Sequence, residues 1–415
     1  MKSVQDHLSE ILGAVTATEP LDLVLQDARG CILAEDVAAP FGLPRFEHAD
    51  TDGYAVRSAD VAAASPSARV PLRVLGDLSA GEDEASSLVE GAAFRVSTGA
   101  PIPPGADAIV PITSTDRGVA TVQVGAAVKR GDYIRRANTD VLPGDLVVAR
   151  GTELQATHVG AMAGMGMRTV PVYPRPRVVI ISTGNEVVEP GSPLRGDQVA
   201  DANSFLLAEA VREAGGAPYR IGVVADDTRE LRVTLEDQLV RADMIITTGG
   251  VSVGEDDVVK EVLAPLGTVR FDQIGIEPGT RQGFGTVGDD VPIFALPGKP
   301  ASAFIAFEVF VRPGLRRMRG LTSAADLYRP VVDARVTAGW HGDVGKNQFM
   351  PVTLERDGAL WTATPVLGGH APDDAGLWDA SGNVASLAHV NGLAVTPAGT
   401  SRTAAGASVR VMRIA

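Results

Sequence analysis

Between about Arg175 and Gly320, short apolar segments alternate with stretches of helical spacing, and this alternation restricts the fold more than any other feature of the chain. Arg177 to Ser182 reads as an apolar strand and Asn203 to Ala214 as a helix stopped by Gly215-Gly216. Ile221 to Val224 is a strand, Thr228 to Arg241 a helix, Met244 to Thr248 a strand and Val258 to Leu266 a helix. Val269 to Ile274 and Pro292 to Leu296 read as further strands, and Ala301 to Val311 as a closing helix. Such alternation predicts a parallel sheet with helices on both faces.

The flanks follow other rules. Val4, Leu8, Ile11, Leu12 and Val15 lie at helical spacing, so residues 3 to 17 are expected as an amphipathic helix. From Pro40 to Val141, short apolar strands are broken by turn clusters such as Pro103-Pro104-Gly105, which indicates a mostly β module. Leu142-Pro143-Gly144-Asp145 is a strong turn signal. After Gly320 the pattern becomes all-β, with strands expected at Val331 to Val336, Gln348 to Leu354, Leu360 to Pro365, Gly392 to Pro397 and Ser408 to Ile414. A multi-domain α/β chain is therefore expected. Residues 175–322 form the central αβα domain, 41–137 an inserted mostly β domain, and 323–415 a C-terminal β-barrel-like domain. Residues 1–40 with 138–174 form a discontinuous N-terminal linker domain.

Composition limits the function. The 415 residues suffice for two to four domains at about 100–200 residues each. The net charge of −14 repels nucleic acid and anionic membrane, so neither is an expected partner, and an anionic ligand needs local compensation. The single cysteine, Cys31, permits no intramolecular disulfide and reads as a small buried hydrophobe. This usage, with a polar N-terminus and no run approaching the ~18 apolar residues of a membrane span, indicates a cytoplasmic protein.

In an open parallel sheet, ligands bind at the C-terminal ends of the strands. Ser182-Thr183-Gly184-Asn185-Glu186 places a tight turn and a carboxylate at one such end. Thr247-Thr248-Gly249-Gly250-Val251-Ser252 through Asp257 places glycines, hydroxyls and a helix start at the second. Leu296-Pro297-Gly298-Lys299-Pro300-Ala301-Ser302 brings a lysine to the third. Three such turns on one edge point to a shared anionic ligand. Glu186, Asp226, Asp227, Asp256 and Asp257 offer oxygen ligands to a hard cation such as Mg²⁺, which would polarise a phosphorus–oxygen bond. The histidines show no metal-ligand spacing, so a zinc site is not expected.

The order of these segments resembles the molybdopterin molybdenumtransferase family, which includes bacterial MoeA proteins and the E domains of gephyrin and its plant counterpart. The matching motifs are Asp52-Gly53-Tyr54-Ala55-Val56-Arg57, Thr98-Gly99-Ala100-Pro101 with Gly105-Ala106-Asp107-Ala108, Ser182 through Glu186, Asp201-Ala202-Asn203-Ser204, Gly249 through Asp257, and Leu296-Pro297-Gly298. The resemblance implies a four-part homodimer with a MogA/MoaB-like central domain. It implies a Mg²⁺-dependent reaction on adenylylated molybdopterin and molybdate that releases AMP, with a molybdopterin adenylyltransferase as an upstream partner. By motif position it makes Asp52, Thr98, Glu186, Asp227 and Asp257 the catalytic set, with Glu186, Asp227 and Asp257 on the metal. Thr183, Gly184, Gly249, Gly250, Ser252, Arg281, Gly298, Lys299 and Ser302 would bind substrate.

One loop departs from the family. Where the family usually has a Lys-Pro-Gly-Lys-Pro loop, the loop here reads Glu277-Pro278-Gly279-Thr280-Arg281-Gln282-Gly283-Phe284-Gly285, so both lysines are replaced, by Glu277 and Thr280. A carboxylate about 4 Å from an oxyanion would cost on the order of several kcal/mol. Arg281 and Lys299 are the cations at hand to offset it. The departure raises an alternative, a gephyrin-like dimeric scaffold with reduced catalysis. Such a scaffold would link a membrane receptor tail to a tubulin-like cell-division protein near the junction of the αβα and C-terminal β domains.

Overall fold

The computed structural model describes residues 1–81, 86–251, 258–366 and 384–414. The chain divides into two compact units. One comprises Asp36–Arg150 and Thr157–Arg168, and the other comprises Met1–Glu35, Gly151–Ala156 and Thr169–Ala415.

The larger unit is built on a six-stranded sheet. Its strands are β1 (Arg177–Thr183), β2 (Ala217–Val224), β3 (Met244–Thr248), β4 (Arg270–Gln273), β5 (Arg281–Val287) and β6 (Val291–Leu296), in the spatial order β2-β1-β3-β6-β5-β4. The first four in that order are mutually parallel. Successive residues of a strand point to opposite faces, and here both faces are covered. Val178, Ile180, Met244 and Ile246 pack with α1 (Val4–Ala14) and α2 (Asn203–Glu213). Val179, Ile181 and Ile245 pack on the other face with α3 (Thr228–Leu239) and α4 (Val258–Leu263). Burial of each such side chain contributes about 1.5–3 kcal/mol, which is why these strands read as unbroken apolar runs.

The α1 helix starts because Ser3 caps it, its hydroxyl accepting the Asp6 N–H at 3.0 Å. It lays Leu8 and Ile11 into the sheet core and is shorter than the 3-to-17 expectation. The last helix of the sheet, α5 (Pro300–Ala306), continues through a π-helical turn at Phe307–Val311. Cys31 is buried and unpaired, as its apolar neighbours suggested.

The sheet corrects one expectation. The stretch from Glu277 to Gly285 reads as a loop, yet Arg281–Val287 is a strand, antiparallel to both β4 and β6. The glycines that suggested a loop are packing devices. A Cβ on Gly283 would lie 2.7 Å from the Phe271 ring, and one on Gly285 would lie 2.4 Å from the Val269 Cα. Only glycine lets β4 and its approach close on β5.

Five strands close the C-terminal barrel: β7 (Val331–Val336), β8 (Asn347–Asp357), β9 (Leu360–Pro365), β10 (Gly392–Thr396) and β11 (Ser408–Arg413). They run β8-β9-β7-β11-β10, and β10 pairs back onto β8. The short segment Ile276–Glu277 adds to the edge of β8 in parallel, with Ile276 opposite Asn347 and Glu277 opposite Gln348. The loop entering β5 is thereby attached to the barrel.

The smaller unit holds a five-stranded sheet in the order Ala108–Pro111, Gly53–Val56, Ala92–Val96, Val70–Leu78, Thr121–Val124. Tyr54, Val56, Leu72, Val110 and Val122 form its core.

Candidate functional site

Strand order places the site. From β1 the chain crosses to β2 on one side, and β3 and β6 then lie on the other. The crevice at the C-terminal ends of β1 and β3 is therefore the point where the order reverses, the place at which open α/β sheets bind ligands. A groove of about 840 Å³ opens there. Thr183 and Gly184, Thr248 through Val251, and Pro297 through Pro300 all line it.

Glycine makes the three turns converge. At Gly249 the backbone has φ +100°, and a Cβ there would lie 2.5 Å from the Thr183 carbonyl oxygen. The Gly298 backbone approaches so closely that its Cβ would sit 3.4 Å from the Gly249 Cα. Side-chain hydrogen bonds pin the arrangement. Asn203, at the start of α2, donates from Nδ2 to the Thr248 hydroxyl at 2.8 Å and to the Gly298 carbonyl at 2.7 Å. The Thr248 hydroxyl donates to the Pro297 carbonyl at 3.1 Å. One asparagine thus ties together the ends of β3, β6 and α2. Asp201 is almost wholly buried and accepts the Ser182 hydroxyl at 2.9 Å and the Ser204 N–H at 3.0 Å. Motif order had singled out Asp201 and Asn203 without assigning them work; their work is to brace the turns.

The carboxylates divide by role. Glu186 lies exposed on the groove, its Oε2 folded back so that a Cβ on Gly184 would meet it at 2.7 Å. Asp226 lines the same groove, and its N–H donates to the Asn185 side chain at 3.1 Å, which draws the two acidic turns together. Asp227, the member of the pair assigned from motif position, instead caps α3, accepting the Glu230 N–H at 2.8 Å. Asp226, not Asp227, lines the groove. Arg281, Lys299 and Ser302 line it from β5 and the start of α5. Ser252 and Asp257, with Asp256, lie outside the described residues.

The departing loop resolves into two directions. Gly279 and Arg281 line the groove, whereas Glu277 lines a separate cavity of about 140 Å³ with His341, Asp343 and Gln348. The Glu277 carboxylate accepts the Lys346 ammonium at 2.9 Å. The Thr280 hydroxyl turns inward to donate to the Ile276 carbonyl at 3.0 Å.

In the smaller unit, Asp52 and Thr98 form a pair of their own. The Thr98 N–H and hydroxyl both donate to Asp52 Oδ1, at 2.7 and 2.8 Å. Those two bonds, the backbone one foremost, hold the exposed Asp52 carboxyl below the usual range. The adjoining Gly53 is obligatory, because a Cβ there would lie 2.1 Å from the Val110 carbonyl oxygen.

One cluster escaped the reading of histidine spacing. Potential ligand atoms of His7, Glu10 and Asp272 lie within 4.8 Å of one another. The Lys2 ammonium already bonds both carboxylates. Burial pushes the His7 imidazole down to about 4, and it packs edge-on against Phe310. Lys2 already ties the two acids together, and the neutral imidazole behaves as a core aromatic.

Comparison with known proteins agrees with this geometry. Residues 2–166 match the MoeA N-terminal region (domain I and II), residues 179–317 a probable molybdopterin binding domain, and residues 333–414 the MoeA C-terminal region (domain IV). Molybdopterin molybdenumtransferase 2 of Mycobacterium tuberculosis is 38% identical over 99% of this chain and 99% of its own length. Molybdopterin molybdenumtransferase of Bacillus subtilis is 30% identical over 94% of this chain and 89% of its own. A MoeA crystal structure from Pyrococcus horikoshii superposes with a TM-score of 0.78 at 30% identity, covering 100% of this chain and 99% of that one. None of these names describes a receptor or cytoskeletal scaffold.

Proposed function

The chain belongs to the molybdopterin molybdenumtransferase family and serves molybdenum cofactor biosynthesis; on that premise we propose that its groove takes adenylylated molybdopterin and molybdate and releases AMP. The observation that carries this reading is the convergence of three glycine turns on one groove, with Glu186 and Asp226 on its acidic side and Arg281 and Lys299 among its lining.

The groove suits such substrates chemically. The close-lying backbone of Gly249, Gly250 and Gly298 leaves room for a phosphate to approach main-chain amides. Thr183 and Ser302 offer hydroxyls beside it. Arg281 and Lys299 supply the positive charge that an oxyanion requires in an acidic protein.

Glu186 and Asp226 are exposed and, among the described residues, unpaired. Such hard oxygens fit a hydrated Mg²⁺, and these two residues would hold it. When bound, that ion supplies charge neutralisation at the phosphoanhydride. Asp227 acts one step removed, by capping α3 and so fixing the turn that carries Asp226. Asp52 and Thr98 present a preorganised carboxylate on the smaller unit. A homodimer in the cytoplasm, fed by a molybdopterin adenylyltransferase, completes the reading.

The test is AMP release from adenylylated molybdopterin by the purified chain, with and without molybdate. Molybdate-dependent release is expected. AMP release that ignores molybdate, or no release at all, overturns the assignment.

A further inference from the structure

The loop that departs from its family is held from outside the groove. Three bonds close it internally. Ile274 N–H donates to the Thr280 carbonyl at 2.6 Å, the Thr280 hydroxyl to Ile276, and the buried Gln282 amide to the Gly279 carbonyl at 2.8 Å. Its outer edge joins the barrel, where Asn347 N–H donates to the Gly275 carbonyl at 2.8 Å. Next to that join, Lys346, the residue before β8, donates to Glu277 at 2.9 Å and to Asp343 at 2.7 Å.

We propose that Lys346 is a positioning residue of the oxyanion subsite: by bonding Glu277 it pairs and turns aside the carboxylate that replaces a family lysine, leaving Arg281 as the loop's charge toward the groove. The argument has three parts. First, Glu277 and Arg281 lie on one short loop but line different cavities, so the carboxylate is directed away from the groove. Second, its partner comes from a different domain, 69 residues along the chain, and is half-sheltered beside it. Partial burial lowers the Lys346 pKa, but the bonds to Asp343 and Glu277 outweigh it and the net shift is upward, so the cation persists through the neutral range. Third, an uncompensated carboxylate on a loop that borders an anion subsite repels the anion, and freeing it also releases the loop edge. The C-terminal barrel thus supplies the cation that holds Glu277 aside. This rests on the reading of the groove as a molybdate site.

The experiment uses the full chain and molybdate itself as probe, titrated by calorimetry. Lys346→Gln is expected to weaken molybdate binding on the order of tenfold, because Glu277 is then unpaired. Half-saturation by adenylylated molybdopterin should move by no more than about twofold, since neither Lys346 nor Glu277 lines the groove. Glu277→Gln alone should bind molybdate at least as tightly as the parent. The Lys346→Gln/Glu277→Gln double variant should return to within about twofold of the parent. Lys346→Arg should rescue the single loss. A Lys346→Gln variant that binds like the parent overturns the proposal, and so does a double variant as weak as Lys346→Gln, which would mark Lys346 as merely structural. If the parent binds no molybdate, the groove reading fails and hydrogen exchange decides the clamp. Faster exchange of the Ile274 and Asn347 amides in Lys346→Gln, reversed in Lys346→Arg, supports it, and unchanged exchange overturns it.

Discussion

Glu186 stands exposed on the groove after β1 with its carboxylate folded over Gly184, whereas Glu277, in the loop before β5, ends on Lys346 of the barrel. Both are glutamates of the same compact unit, the first just past a tight turn at Gly184 and the second in the short segment that joins the barrel edge. The first keeps its oxygens available for a cation or a reacting group, and the second has its charge answered by another domain. Pairing and direction, rather than residue type, separate an acid left open on the groove from an acid tied to a cation. Asp226 and Asp227 repeat the contrast between neighbours, one lining the groove and one capping a helix.

The sharpest way to break this comparison is to remove each charge in turn. Glu186→Gln should reduce AMP release by about two orders of magnitude or more, while its urea midpoint stays near the parent's. Glu277→Gln should leave release within about threefold. Equal losses in the two variants would end the distinction.

The contact of α1 with the sheet edge offers a third kind of acid pair, Glu10 and Asp272 answered by Lys2 beside the buried His7. His7 has a folded-state pKa near 4, below its ordinary 6.5, so the unfolded chain binds more protons between those values. Its stabilising share is full above about pH 6.5 and is lost as pH falls toward 4, a change on the order of 3 kcal/mol. In urea unfolding at pH 7 and pH 4.5, His7→Phe should lose stability with acid less steeply than the parent. Equal slopes would show that the imidazole is solvated.

Backbone supports the comparison at smaller scale. Gly249→Ala must both adopt φ +100° and avoid the Thr183 carbonyl, so a loss of about 2–3 kcal/mol in unfolding free energy is expected. Gly345, beside Lys346, has φ +103° but open space around it, and Gly345→Ala should cost only about 1 kcal/mol. The smallest effect belongs to the smaller unit. Thr98→Val removes one of the two bonds to Asp52, and the Asp52 carboxyl should titrate at higher pH, as read by NMR. No upward movement would mean that the backbone bond alone holds it.

By itself the sequence determined the parallel strands, the three glycine turns and their common edge. Buried parallel strands must be apolar on both faces, and a strand-to-helix turn that admits a ligand must contain glycine, so Val178–Ile181, Gly184, Gly249 and Gly298 announce their roles locally. Tertiary structure alone decided that residues 281–287 form a strand, because the room that Gly283 and Gly285 leave is filled by Phe271 and Val269. It alone decided which aspartate of the 226–227 pair faces the groove, since one backbone turn separates capping from lining. The cationic partner of Glu277 lies 69 residues away, and Asp272, one of the two acids on Lys2, lies 270 residues from it; charges meet by folding, and no local pattern encodes a meeting across such distances.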